Sequence, residues 1–169
     1  LIHKLFGLPR TPGLTEAVLG KEIGEVERGT ADLMLGELSV EKIIDVPGIE
    51  NLKIITCGEI PTNPIDFLNS DALKEFIKKL SRNFELVILD CPPALLFADP
   101  LIISNIASGT VIVYQVGRMV RTALKRAKDQ LVGVKANVLG VILNDIKVQD
   151  MQHRYGYYHT YKYYHKEEK

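Results

Sequence analysis

The first residue of chemical interest is an aspartate that ends an apolar run. Asp90 closes the segment 86–90 (LVILD) and is followed by Cys91-Pro92-Pro93. A buried strand of this kind delivers its last side chain to the carboxyl edge of a parallel sheet, where open α/β folds bind ligands. Oxygen ligands of this type suit Mg²⁺, which keeps several of its waters. The alternative is that Asp90 only turns the chain ahead of the two prolines.

A second set of reactive side chains is a dense group of tyrosines near the C-terminus. The group is interleaved with His159, Thr160 and Lys162 and has no usable period, which predicts a flexible tail over residues 150–169 and a domain over residues 1–149. Each tyrosine phosphate would add roughly −1.5 to −2 charges. The alternatives are a sticky aromatic end or a metal-binding tract of histidines. The six candidate phosphoacceptors are Tyr155, Tyr157, Tyr158, Tyr161, Tyr163 and Tyr164.

The bulk composition limits the class of protein. The chain has 169 residues, 46% of them hydrophobic, which is enough for one domain with a core. Its 21 basic and 21 acidic side chains give a net charge near zero, so no nucleic-acid partner is expected. Cys57 and Cys91 lie inside apolar runs and are predicted to be reduced core thiols of a cytosolic protein. No apolar run approaches the ~18 residues that would cross a bilayer.

The elements that must position these residues form an α/β pattern. Four β-branched apolar runs predict strands buried on both faces of a mostly parallel sheet, at 52–57 (LKIITC), 86–90 (LVILD), 110–116 (TVIVYQV) and 138–143 (VLGVIL). Three helical patterns separate them and predict right-handed crossovers with helices flanking the sheet. They are the stripe Leu73, Phe76, Ile77, Leu80 with Ser70 as N-cap, a helix opened by Asp99-Pro100 with Asp99 as cap, and the stripe Val120, Ala123, Leu124, Ala127, Leu131.

The first fifty residues are less regular. Short helices are predicted at 15–19, at 39–45 and, as a third possibility, at 32–35. Several cations on the last predicted helix are open to two interpretations, a solvated face or a site for a phosphotyrosine or a neighbouring subunit. These cations are Arg118, Arg121, Lys125 and Lys128.

Four segments in sequence resemble the bacterial tyrosine kinases (BY-kinases) of capsular and exopolysaccharide biosynthesis. Residues 88–93 (ILDCPP), followed by Ala98-Asp99-Pro100, resemble the family's Walker B region. Residues 58–68 (GEIPTNPIDFL) resemble its G-x-x-P-x-N-P-x-x-L linker, and residues 3–19 (HKLFGLPRTPGLTEAVL) the stretch after its second aspartate motif. Residues 117–144, ending in NVLGVILN, are similar to its terminal helix and strand. Residues 21–36 look longer than in the shortest members.

The resemblance implies a P-loop NTPase-like fold that is incomplete at its N-terminus, and a protein-tyrosine autokinase that uses ATP and Mg²⁺. Asp90 would be the Walker B carboxylate associated with the metal, and Asn144 would sit against the adenine ring or, alternatively, only end a strand. The tail tyrosines would be phosphoacceptors for a neighbouring subunit in a homo-oligomeric ring. The implied partner is a membrane-embedded polysaccharide chain-length regulator, with the kinase cytoplasmic and peripheral to the inner membrane through that partner.

One expected motif is absent from the sequence. No G-x-x-x-x-G-K-[ST] occurs, so there is no phosphate-binding loop with its lysine. We therefore expect these 169 residues alone not to bind ATP tightly. Two alternatives remain: a non-catalytic phosphoacceptor or assembly partner of an intact kinase, and a MinD/ParA-like ATPase, which would lack the tyrosine cluster.

Overall fold

The computed structural model describes residues 2–29 and 51–146, and the chain divides into two compact units, residues 1–89 and 90–169. The first unit contains the helices α1 (Ile2–Leu5), α2 (Leu14–Val18), α3 (Ile23–Val26), α4 (Pro64–Asn69) and α5 (Asp71–Asn83), with the strands β1 (Glu27–Arg28) and β2 (Ile54–Ile55). The second contains α6 (Asp99–Ile103), β3 (Thr110–Gln115), α7 (Arg121–Gly133) and β4 (Val138–Asn144). The predicted helices at 32–35 and 39–45 and the tail at 150–169 lie outside the described residues.

The longest helix of the first unit, α5, confirms the sequence pattern. Its hydroxyl cap is Ser70, whose Oγ accepts a hydrogen bond from the Leu73 amide at 3.2 Å. The four residues of the predicted stripe are all buried, since they recur at the spacing of one helix face. Phe76 and Leu80 join Ala17 of α2 and Val26 of α3 in the main apolar cluster. The core of this unit is therefore built from helices rather than from a sheet.

The strand predicted at 52–57 is shorter and runs differently. Only Ile54–Ile55 forms a strand, and it pairs antiparallel with Glu27–Arg28. The prediction of a parallel strand there is wrong, because the neighbour that supplies hydrogen bonds is a nearby two-residue segment that runs in the opposite direction. Ile54 is still buried, with Leu8, in a second small apolar cluster.

The strand predicted at 86–90 is not formed within the described residues. No ladder hydrogen bonds join this segment to a neighbour. Leu86 and Ile88 are 74% and 79% exposed, while Val87 packs against the main cluster. Apolarity alone cannot make a strand, because the backbone groups also need a partner strand. Burial on both faces is therefore a wrong prediction for this segment.

The second unit contains the parallel pair that the sequence predicts. β3 and β4 pair in register from Val111–Gly140 to Gln115–Asn144, with an irregularity after Thr110. α7 connects the two strands and packs against β4, as parallel neighbours require a crossover. Burial on both faces was expected, but Val113 and Ile142 are 64% and 55% exposed on one face and Leu143 is 53% exposed on the other, so neither face of the pair is fully covered. The α/β class is confirmed, with a parallel pair and flanking helices.

Three smaller expectations need correction. Asp99 is the first residue of α6 and not its cap, since Ala98 occupies the cap position without a side-chain hydrogen bond. Val120 precedes α7 as its N-cap and is 70% exposed, so it does not extend the apolar stripe, whereas Ala127 and Leu131 are buried. Cys57 and Cys91 are free thiols as expected, but both are exposed rather than in the core. Among the helices that the structure describes, none has the length and apolarity to cross a membrane.

Candidate functional site

The predicted metal-associated carboxylate, Asp90, lies at the start of the second unit. It is exposed, and within the described part of the chain its carboxylate makes no hydrogen bond and no ion pair. Such a carboxylate keeps all its lone pairs available for waters or a metal. If Asp90 only stabilised a turn or capped a helix, its carboxylate would accept hydrogen bonds from neighbouring backbone amides. The geometry leaves Asp90 free for a ligand.

Cys91 follows Asp90 in the chain and lies within electrostatic range of both Asp90 and Asp99. Partial desolvation raises the pKa of the Cys91 thiol, and the negative charges of Asp90 and Asp99 raise that pKa further. The thiol is therefore protonated at neutral pH and is a poor nucleophile. The arrangement does not support cysteine chemistry beside Asp90. No group of three or more histidine, cysteine, aspartate or glutamate side chains in residues 2–29 and 51–146 is placed to hold a metal ion.

Asn144 ends β4 in the same unit. Its backbone carbonyl accepts from Val116 N at 3.0 Å, and its side-chain oxygen accepts from Asp145 N at 2.9 Å. The next residue, Asp145, adopts a positive φ of 58° and accepts from Gln115 Nε2 at 3.1 Å. The Asn144 side chain is exposed, and its amide nitrogen donates to no described residue. It can therefore still donate to a ring nitrogen of a base.

The structure brings two of the resembling segments together in the first unit. The Glu16 carboxylate accepts from Gly13 N at 2.6 Å and from Glu59 N at 2.9 Å. Desolvation acts to raise the pKa of Glu16, but the amide hydrogen bonds from Glu59 and Gly13 outweigh it, and the pKa lies below its usual value. Both carboxylate oxygens are engaged, so Glu16 joins residues 3–19 to residues 58–68 rather than acting as an acid or base.

The same junction is reinforced by hydroxyl and guanidinium groups. Thr15 Oγ1 donates to the Glu59 carbonyl at 2.7 Å, and Thr56 Oγ1 donates to the Arg10 carbonyl at 2.7 Å. Arg10 Nε donates to the Gly58 carbonyl at 3.0 Å. The polar residues of this junction were not singled out by the sequence analysis. The spacing Gly13-x-x-Glu16 was the available signal, since a glutamate three residues after the N-cap can accept from the N-cap amide, although glycine has no side chain to complete a capping box.

An open cleft of about 680 Å³ lies beside this junction. Its walls combine apolar residues with a few charges, and the Glu16 carboxylate in it is already satisfied by amides. Lys21 in the cleft pairs with Glu25, whereas the exposed Glu59 carboxylate has no partner among the described residues. Its lining includes Pro12, Leu19, Ile60, Pro61, Phe67, Glu16, Lys21 and Glu59.

Comparison with known proteins finds bacterial tyrosine kinases. The chain is 32% identical over 159 residues to the tyrosine-protein kinase YwqD of Bacillus subtilis (strain 168), a match covering 94% of this chain and 60% of that protein. It is 31% identical over 134 residues to the tyrosine-protein kinase CpsD of Streptococcus agalactiae, covering 79% of this chain and 58% of that protein. The chain is therefore similar to bacterial tyrosine kinases over nearly its whole length.

Solved structures share the fold of the chain. The chimerical protein CapA2B2 superposes with a TM-score of 0.70 at 26% identity, over 85% of this chain and 57% of the other. The kinase domain of the Escherichia coli tyrosine kinase ETK has the same fold, with a TM-score of 0.70 at 23% identity over 86% of this chain and 51% of the other. No family model matches the chain. The chain spans about 60% of the length of YwqD.

Proposed function

We propose that this chain is the C-terminal part of an ATP-dependent protein-tyrosine autokinase that regulates capsular or exopolysaccharide synthesis and export. The supporting observation is the similarity to tyrosine-protein kinases across 94% of the chain, in an α/β fold shared with bacterial kinase domains. Its partners would be further copies of the chain and a membrane-embedded chain-length regulator. The kinase would then be cytoplasmic and peripheral to the inner membrane.

Two residues supply the nucleotide-facing groups in this proposal. MgATP, when bound, supplies the phosphoryl group and the charge-neutralising metal. Asp90 would hold the metal through its waters, since its carboxylate is free of protein partners in the described residues. The Asn144 amide nitrogen would donate to the adenine ring, while its oxygen stays on Asp145 N. These groups fit part of a nucleotide site, and the chain's sequence contains no loop for the β- and γ-phosphates.

The tail provides the acceptor hydroxyls. Six phenols in ten residues offer an active site many equivalent hydroxyl groups. Phosphorylation of several would turn the tail strongly anionic, at roughly −1.5 to −2 charges each. Repulsion between such tails would loosen contacts between subunits in an oligomer. The residues proposed as acceptors are Tyr155, Tyr157, Tyr158, Tyr161, Tyr163 and Tyr164.

Calorimetric titration tests the assignment of Asp90. In the complete kinase, Asp90→Asn should weaken binding of MgATP much more than binding of ATP with EDTA, because the lost charge faces the metal. The matched control is Glu85→Gln, which removes an exposed carboxylate five residues upstream. The 169-residue chain alone should show no micromolar MgATP binding. Equal MgATP affinity in wild type and Asp90→Asn would remove Asp90 from the site.

The non-catalytic alternative rests on the same tyrosine tail and is tested separately. If the chain is only a phosphoacceptor, radiolabelled phosphate enters the tail only when an intact bacterial tyrosine kinase is added in trans. If the proposal is right, the complete protein labels its own tail with MgATP and no added kinase. Labelling only in trans would support the acceptor role and contradict the autokinase.

A further inference from the structure

The net charge near zero hides a strong local asymmetry. Residues 117–135 contain six cationic side chains and one carboxylate, an excess of five positive charges in a chain with equal numbers of both signs. An even distribution would place no such excess on one element. The ion pairs in the described part of the chain all lie between residues 21 and 78. The positive charge on this region is therefore not neutralised by neighbouring carboxylates.

Three of the cations form a stripe along α7, here called the basic stripe: Arg121, Lys125 and Lys128. Their spacing of four and three residues places them on one side of the helix. All three are exposed, whereas Ala127 and Leu131 on a different side of α7 are buried. The stripe is about 10 Å long at 1.5 Å per residue. The three side chains of the stripe are exposed on the outer surface of a helix and do not form a pocket.

An exposed apolar turn adjoins the N-terminal end of the basic stripe. Met119 and Val120 are 50% and 70% exposed and follow directly after Arg118. The turn is fixed in place, since the Tyr114 hydroxyl donates to the Met119 carbonyl and Gly117 adopts a positive φ of 82°. The backbone therefore holds two apolar side chains out into solvent, beside the cations.

We propose that the basic stripe and the 117–120 turn form a docking surface for an anionic lipid bilayer. A convex row of cations matches a flat layer of negative headgroups, and flanking apolar side chains can enter the interface between headgroups and acyl chains. A phosphopeptide would instead need a concave site with forked arginine contacts, which this helix lacks. The phosphates of a nucleic acid would contact only the cations, because a nucleic acid has no apolar layer to receive the exposed side chains of Met119 and Val120. This surface is independent of the proposed kinase reaction.

The attraction between the cations and the anionic lipids sets the expected change in vesicle affinity. Each lysine or arginine near an anionic surface strengthens binding by roughly 5-fold, equivalent to about 1 kcal/mol. Removing all three stripe cations should therefore weaken binding on the order of 100-fold. The attraction should also fall when salt is raised from about 0.05 to 0.5 M, because the Debye length shrinks from over 10 Å to a few ångströms.

Vesicle co-sedimentation of the 169-residue chain tests the proposal. The vesicles contain phosphatidylcholine alone or with one third phosphatidylglycerol. We expect binding only to the anionic vesicles, lost in R121Q/K125Q/K128Q and retained in K78Q/K79Q/R82Q. The control triple removes equal charge from exposed positions of another helix, α5. Equal losses in the two triples would mean that net charge and not this surface is responsible, and would overturn the proposal, as would no binding to anionic vesicles.

A fluorescent reporter locates the contact. The chain has no tryptophan, so M119W gives a single indole at the turn and I60W a control indole at an exposed site of the first unit. Anionic vesicles should shift the M119W emission to the blue and leave I60W unchanged. A shift in I60W alone would contradict the docking surface. So would tighter binding of the chain to a tyrosine-phosphorylated peptide of residues 150–169, or to duplex DNA, than to the vesicles at equal phosphate concentration.

Discussion

At the scale of single residues, two carboxylates of this chain have opposite environments. Glu16 accepts two backbone amides, whereas Asp90 has no protein partner among the described residues. A carboxylate held by amides fixes local structure, and an exposed free one is available to a ligand. The sequence drew attention to Asp90 through its position after an apolar run. It gave less warning of Glu16, whose second amide comes from a residue 43 positions away.

Replacing Glu16 should destabilise the first unit in a pH-dependent way. Glu16→Gln loses a charged acceptor and turns an amide group toward the Gly13 and Glu59 donors, so we expect a loss of about 1 kcal/mol in the free energy of unfolding at pH 7. Because folding lowers the pKa of Glu16, its contribution is present above the unfolded pKa and disappears as pH falls through the folded one. Urea unfolding at pH 7 and pH 3 measures both values.

The difference between wild type and Glu16→Gln should therefore shrink at pH 3. Glu22→Gln is the control, since its exposed carboxylate takes part in no described hydrogen bond. A gap between wild type and Glu16→Gln that is the same at both pH values would refute the role of the charged form.

Thiol reactivity tests the surroundings of Asp90. In a Cys57→Ser background, alkylation of Cys91 by iodoacetamide should be slow at pH 8, since desolvation and the charges of Asp90 and Asp99 raise the thiol pKa. Asp99→Asn should speed the reaction by lowering that pKa. Asp129→Asn, on α7, should not change it. An unchanged rate in Asp99→Asn would mean that Asp99 does not lie near the thiol.

At the scale of elements, the junction of α2 with residues 54–59 depends on two glycines. A Cβ on Gly13 would stand 2.4 Å from both the Gly58 nitrogen and the Thr56 oxygen, and these are backbone atoms that cannot swing away. Gly58 has a φ of +78°, and its Cβ would meet the Glu16 carboxylate. Backbone segments can approach this closely only where a side chain is missing.

Gly13→Ala should therefore separate α2 from residues 54–59. We expect a loss of about 1–3 kcal/mol of stability, typical of forced overpacking. Gly24→Ala is the matched control, because a Cβ there meets nothing within 4 Å and alanine favours its helix. Thermal unfolding followed by circular dichroism compares the two variants. A Tm for Gly13→Ala at or above that of Gly24→Ala would show that the close approach is not real.

The same scale shows which elements the sequence can predict. The helix α5 and the strands β3 and β4 follow from local apolar spacing, and the structure confirms them. The segment 86–90 has an equally apolar sequence but forms no strand, because a strand also needs a partner that its own residues do not specify. The sequence analysis missed the antiparallel pairing of β1 with β2. This pairing depends on contacts and not on a two-residue pattern.

At the scale of the whole molecule, the local sequence patterns predict the family resemblance better than they predict the ligand-binding site. The order of four segments was enough to indicate a bacterial tyrosine kinase, and two relatives above 30% identity support it. Asn144 ends β4 as the sequence predicts, whereas Asp90 ends no strand, because residues 86–90 pair with no neighbour in the described part of the chain. Their ligands remain proposals, because a ligand's position depends on groups that this sequence lacks, above all a phosphate-binding loop.

Mass-spectrometric mapping of phosphotyrosine in the complete protein tests the central claim most directly. After incubation with MgATP alone, we predict phosphate on tyrosines of the 155–164 cluster, on several residues at once. Asp90→Asn should lower the rate of labelling by roughly 100-fold, which corresponds to a loss of about 2.7 kcal/mol of metal-linked stabilisation. Glu85→Gln should label like wild type. A complete protein that carries no phosphate in this cluster, or that labels it equally well with Asp90→Asn, would contradict the account.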